Sequence, residues 1–225
     1  MRLKQFKFTD IIISIILTLL LLSVAVIFTL NFKPLYYWSI DHLDIAQTSG
    51  YSKGEIIDNY KALIEYNSPF YNGELSFPSL PSSAEGIQHF AEVKDIFIAF
   101  YFIALTTFVV SIVIILYKHN KRDYNYLLVS SIMVVILPLI VGTLLFLDFD
   151  TTFRVFHEIF FDNDYWLFDP LTDPVINILP SNFFLYCALL IIFFVILGSI
   201  ILFISYKALK KRTGIKYRKN RGLNI

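Results

Sequence analysis

Four stretches of this chain run for about 20 residues or more without one Asp, Glu, Lys, Arg or His. They are Ile11 to Leu30, Ile96 to Tyr117, Tyr126 to Leu147 and Phe183 to Tyr206. A helix of that length, at about 1.5 Å per residue, crosses the roughly 30 Å hydrocarbon layer of a bilayer. A soluble fold cannot bury four such helices on all sides within 225 residues. Composition agrees, since 56% of residues are hydrophobic, 16% are charged and mean hydropathy is +0.64, against about half and a quarter in soluble domains. The first stretch is too long for the apolar core of a cleaved leader, and more Val, Ile and Phe follow Ser23 and Ala25, so an uncleaved span is expected. Pro138 will kink the third span, which neighbouring helices can tolerate. A single cysteine, Cys187, excludes a disulfide framework and a Cys-based zinc site. The expected fold is an all-α integral membrane protein, four transmembrane helices under a small, mainly helical extracellular cap.

Charge orients it. Arg2, Lys4 and Lys7 precede the first span, and Lys118, Lys121 and Arg122 lie between the second and third. Eight more basic residues follow the fourth: Lys207, Lys210, Lys211, Arg212, Lys216, Arg218, Lys219 and Arg221. That places 14 of 19 basic residues on one side, and 16 of 18 acids in the two longer loops on the other. By the positive-inside rule both termini are cytoplasmic and the acidic loops face outward. The regions are then residues 1–30 (N-terminus and first span), 31–95 (extracellular cap loop), and 96–147 (spans two and three with their short inner loop). Residues 148–182 form a second extracellular loop with an interfacial helix, and 183–225 the fourth span and basic tail. The tail suits anionic lipid headgroups, and no nucleic-acid role is expected. Spans free of ionisable groups and of paired Gly/Pro breaks argue against ion, proton or solute transport. Any chemistry belongs at the outer face.

In the first outer loop, Ser52-Lys53-Gly54-Glu55 is a capping-box pattern before a helix to about Tyr66. Ser82-Ser83-Ala84-Glu85 is a second, opening a helix with no breaker before span two. His89 lies on that helix, with Glu85 and Glu92 on its face. In the second loop Thr151 or Thr152 is the expected N-cap of a helix over Phe153 to Phe161 that carries Arg154 and His157. Its aromatic content suits the membrane interface. Tyr165 and Trp166 fit an interfacial belt, and Asp173-Pro174 reads as N-cap and N1 of a short helix ending near Pro180.

No GxSxG, P-loop, HExxH or CxxC motif occurs. Asp162, Asp164 and Asp169 lack the spacing and loop glycine of a calcium hand. Cys187 reads as a packing residue, and His42 and His119 as surface residues. His89 and His157 differ, because each lies two to three turns from the outer membrane boundary. Their spacing leaves three readings open: two unrelated interfacial histidines, an acid–base pair, or a metal site lacking a clear third ligand.

Gly50-Tyr51-Ser52, the helix from Asn59-Tyr60 to Tyr66, Glu85 to Asp95 (EGIQHFAEVKD) and Phe156 to Pro180 (FHEIFFDNDYWLFDPLTDPVINILP) resemble the bacterial lipoprotein intramolecular transacylase family. The likeness extends over nearly the whole chain: four spans, a long acidic first loop, a shorter aromatic second loop, a basic tail. It implies a membrane acyltransferase acting on diacylglyceryl-modified lipoproteins at the outer leaflet of the bacterial cell membrane. In that reaction the α-amino group of the N-terminal S-diacylglyceryl cysteine takes the sn-2 acyl chain from its own glycerol, leaving a lyso-form lipoprotein. The family's two functional histidines fall on His89 and His157.

That chemistry suits these residue types. An α-amino group titrates near 8, within reach of an imidazole base. Both reactants belong to one molecule, so a held conformer supplies the proximity, and no acyl-enzyme is required. No metal or soluble cofactor is then expected. Arg154, Asn163, Tyr165 and Trp166 are the candidate substrate-binding residues, and the first three or backbone N–H groups are candidates for the oxyanion donor. The competing reading is a non-enzymatic membrane protein whose outer cap binds a lipid or protein partner.

Overall fold

The computed structural model describes residues 7–220, with side chains as far as Thr213. Arg2, Lys4 and Arg221, and the side chains of Lys216, Arg218 and Lys219, lie outside the described residues. The described residues are helical, without strand. Among the described residues, four helices have the length and apolarity to cross a membrane: α1 (Phe8–Asn31), α5 (Ala84–Asn120), α6 (Asn125–Leu147, with Pro138 inside it) and α9 (Ser181–Asn220). Between them run α2 (Lys33–His42), α3 (Ile45–Ser49), α4 (Lys53–Tyr66), α7 (Phe149–Phe160) and α8 (Val175–Ile178). The chain forms two compact units, one from residues 1–25, 103–141 and 192–225, the other from 26–102 and 142–191.

The first unit is built as membrane helices are, from small residues and internal hydroxyl bonds rather than hydrophobic segregation. Ser14 Oγ donates to the Asp10 carbonyl (2.6 Å), Ser130 Oγ to Ser14 Oγ (3.0 Å), and Ser199 Oγ to the Ser131 carbonyl (2.6 Å). Ile13, Leu17, Tyr124, Tyr126 and Leu127 pack between them. At one end lies a charge cluster. Lys118 Nζ is 3.0 Å from Asp10 Oδ1 and 3.1 Å from Asp123 Oδ2, and Lys7 Nζ is 3.0 Å from the same Asp123 oxygen. Asp10 is wholly buried and Lys118 only 6% exposed. The sequence reading took Lys118 for a loop cation. It belongs instead to the last turn of α5 and neutralises the two acids that fall outside the acidic loops.

The second unit has a conventional core. Tyr36 and Tyr60 stack with ring centroids 3.7 Å apart, and Tyr36 Oη donates to the Ile178 carbonyl at 2.6 Å. Ile40, Ile45, Ile56 and Val175 close around them. The helices α2 and α3 were not expected from sequence. Pro34 in the first turn of α2 pre-sets its backbone, and the sharp turn into α3 uses a left-handed Asp44 (φ 50°). The capping box of α4 forms in both halves, Glu55 N–H to Ser52 Oγ (3.3 Å) and Ser52 N–H to Glu55 Oε2 (3.0 Å). The turn-rich stretch after α4 buries Leu75, Phe77 and Leu80 in the same core.

Three helix starts differ from the sequence reading. α5 is capped by Ser83, not Ser82: Ser83 Oγ accepts from the Gly86 N–H at 2.9 Å. The reciprocal acceptor for the Ser83 N–H is not Glu85 but Asp173 Oδ1, 2.8 Å away and 90 positions on in the chain. A Cβ on Gly86 would lie 2.2 Å from that oxygen, so the carboxylate fills the space where a side chain would begin. Asp173 is therefore not the cap of its own short helix. Its other oxygen accepts from Thr172 Oγ1 at 2.7 Å, and it is 3% exposed. α7 begins earlier than Thr151 or Thr152, because Asp148 breaks the helix after Leu147 and its Oδ1 accepts from the Thr151 N–H at 3.0 Å.

Candidate active site

The second unit brings His89 and His157 together, with ring centroids 6.0 Å apart. His89 lies near the start of α5, before the apolar run begins, and is 4% exposed. Asp173 fixes the start of this helix through Ser83, less than two turns from His89. His157 lies in the last turn of α7. Its Nδ1 is 2.7 Å from the Phe153 carbonyl, one helical turn back. A carbonyl only accepts, so Nδ1 carries the proton, and Nε2 is left as the lone-pair nitrogen.

The walls are aromatic. Phe161 packs against both imidazoles, 4.7 Å from His89 and 5.7 Å from His157. Phe168 meets His89 edge-on at 5.5 Å, and Phe153 lies 4.3 Å from His157. Trp166 stacks on His157 at 4.8 Å with planes 28° apart. Burial, helped by the neighbouring His157, pushes the His89 pKa down to about 4 against the weaker opposing pull of Glu92. Burial also lowers His157, partly offset by its bond to the Phe153 carbonyl. Both rings are neutral at pH 7, the form in which imidazole accepts a proton.

The candidate binding residues divide. Arg154 is exposed and pairs with Glu158 at 2.7 Å one turn along α7. Asn163 Nδ2 donates to both oxygens of Glu92 (3.1 Å each), and its Oδ1 accepts from the Tyr165 N–H at 3.0 Å. Gln88 Nε2 also reaches Glu92 (3.2 Å). Asn163 thus ties the segment after α7 to α5, one turn beyond His89. The Tyr165 side chain is exposed and Trp166 half-buried. The remaining candidates stand apart: His42 is exposed and stacks on Trp38 at 4.3 Å, and His119 is exposed beside Tyr124. Cys187 is partly buried against the core. Sequence reasoning missed Phe168 and the Phe153 carbonyl. Nothing local marks the first, whereas the i−4 carbonyl is within reach of any helical histidine. Among the described residues, no group of three or more His, Cys, Asp or Glu is placed to hold a metal ion.

Fold and site together define a multi-pass membrane protein with a neutral imidazole pair, His89 buried and His157 half-buried, among aromatic side chains, a setting suited to acyl transfer. The family model for the lipoprotein intramolecular transacylase Lit matches residues 11–184. The solved structure of the membrane integral lipoprotein intramolecular transacylase Lit from Bacillus cereus superposes with a TM-score of 0.88 at 34% identity, over 92% of this chain and 98% of that one. Two structures of that protein carry a histidine mutation, one to arginine and one to alanine. They give TM-scores of 0.83 and 0.84 at 33% identity, over 92% of this chain and 95% and 94% of theirs. Comparison with curated protein sequences gives no match. The chain belongs to the lipoprotein intramolecular transacylase Lit family, and is a membrane-integral acyltransferase.

Proposed function

We propose that this chain moves the sn-2 acyl group of an S-diacylglyceryl lipoprotein onto the α-amino group of the same N-terminal cysteine. The observation that carries this reading is the neutral His89–His157 pair at 6.0 Å, with the His157 tautomer set by the Phe153 carbonyl. The amine nitrogen attacks the ester carbonyl carbon and a C–N bond forms. His157 Nε2 takes a proton from that nitrogen. As the intermediate collapses, the C–O bond to the glycerol breaks and the same proton passes to the departing oxygen. His89 donates a hydrogen bond to that oxygen, so no net proton is gained or lost. Amine and ester share one molecule, so the enzyme's task is to hold them in the attacking conformer, which replaces a covalent intermediate. The aromatic walls keep out water that would otherwise hydrolyse the ester.

Incubating the purified protein with a synthetic diacylglyceryl-lipopeptide is expected to give a product of unchanged mass with a blocked amine. Loss of an acyl chain to water, or no change, would reject the reading. The same reading has the site facing outward with both termini cytoplasmic, which the bias of the basic residues supports. A Cys at Ser76 or Asp164, both exposed, should then react with an impermeant maleimide in intact cells. Labelling only after lysis would reverse the orientation.

A further inference from the structure

Two buried polar atoms in the histidine cluster have no hydrogen-bond partner among the described residues, His89 Nδ1 and Trp166 Nε1. The first belongs to the acid–base pair. The second is different in kind, because an indole nitrogen only donates, so its burial needs an acceptor to be worthwhile. Nothing in the pair's chemistry uses it yet.

Acyl transfer has one such acceptor to offer. When the amine adds to the ester, the carbonyl oxygen takes up the negative charge, and pre-placed donors there lower the barrier more than any other single device. The other side-chain candidates are engaged or displaced: Arg154 is on the exposed side of α7 with Glu158, Asn163 spends its amide on Glu92, and the Tyr165 side chain is exposed. Of these candidates only Trp166 joins a buried, unpartnered donor atom to contact with the base. Its ring lies 4.8 Å from that of His157, in planes 28° apart. The indole that carries the free donor thus lies against the ring of the base. A neutral donor also adds no charge beside imidazoles that must stay unprotonated.

We propose that Trp166 is a catalytic residue whose indole N–H donates to the acyl carbonyl oxygen as it becomes the oxyanion of the tetrahedral intermediate. This rests on the transacylase reading and supplies the donor that reading lacks. Trp166 transfers no proton. Its bond strengthens as charge develops and relaxes when the C–O bond breaks and the amide carbonyl forms.

The test uses the full chain and the diacylglyceryl-lipopeptide in two variants. Trp166→Phe keeps an aromatic ring against His157 but has no N–H. Replacing Trp166 by benzothienylalanine keeps size and stacking with sulfur in place of N–H. Both are expected to lower kcat about 10²-fold with KM within about twofold, the signature of a lost oxyanion donor. If the benzothienyl protein turned over near the wild-type rate, Trp166 would be a packing residue and the proposal overturned, whatever Trp166→Phe did. A wild-type protein that left the lipopeptide unchanged would remove the transacylase reading itself, and this inference with it.

Discussion

His157→Ala is expected to lower turnover of a diacylglyceryl-lipopeptide by about 10²- to 10⁴-fold, the usual contribution of a positioned proton-transfer group. In barrier terms that is about 3–5 kcal/mol. His89→Ala should cost a comparable factor. The double mutant should be little worse than the worse single, because groups acting as a unit are strongly non-additive. Accumulation in the membrane should be unchanged for His157→Ala, whose ring lies on a helix with no buried residue. His42→Ala, His119→Ala and Cys187→Ala should stay near the wild-type rate, since none touches the pair. The pH profile adds an independent reading. Ordinary histidines titrate near 6.5, but burial has lowered both rings, His89 to about 4. The fall in kcat/KM below about pH 8 should therefore follow the substrate's α-amino group, with any further steepening from the histidines only below about 6.5. Additive losses in the double mutant, or a second titration above about 6.5, would mean that the histidines do not work as a neutral pair.

Why the pair could be anticipated, and its surroundings could not, follows from the range of the interactions. The spans are properties of uninterrupted composition, and all four windows lie within helices. The capping box of α4 is a contact between residues three apart, so its pattern is written locally and read locally. At α5 the same motif is completed by Asp173 from 90 positions away. Glu85 supplied the expected letter, yet Gly86 was the informative one, because the incoming carboxylate leaves no room for a side chain there. The depth of His89 and His157 follows from counting turns, but their meeting depends on how the chain returns after α7. Trp166 shows the same limit. Its sequence position suits a membrane belt as well as it suits a stack on His157, and only the fold chooses. Asn163 was a reasonable oxyanion candidate until Glu92, on another helix, claimed its amide.

The charge cluster of the first unit is the other long-range contact that sequence concealed, with Asp10 and Lys118 lying 108 positions apart. Its removal should be costly. Asp10 is wholly buried, so Lys118→Ala leaves a carboxylate without its cation, retaining only the Lys7 backbone N–H at 3.1 Å. Breaking a buried pair from one side typically costs about 3–5 kcal/mol, because the remaining charge can neither hydrate nor find a partner. Replacing both sides by groups that need no counter-charge costs far less. Thermal unfolding in detergent should therefore show a large drop in midpoint for Lys118→Ala and a substantial recovery in Asp10→Asn/Lys118→Met. Turnover per folded molecule should stay close to wild type in both, since neither residue belongs to the histidine unit. A Lys118→Ala protein as stable as wild type would show that water or Lys7 already neutralises Asp10. A double mutant no better than the single would show that the three-way link through Asp123, 3.1 Å from Lys118, rather than the buried Asp10 charge, is what holds this end of α5 in place.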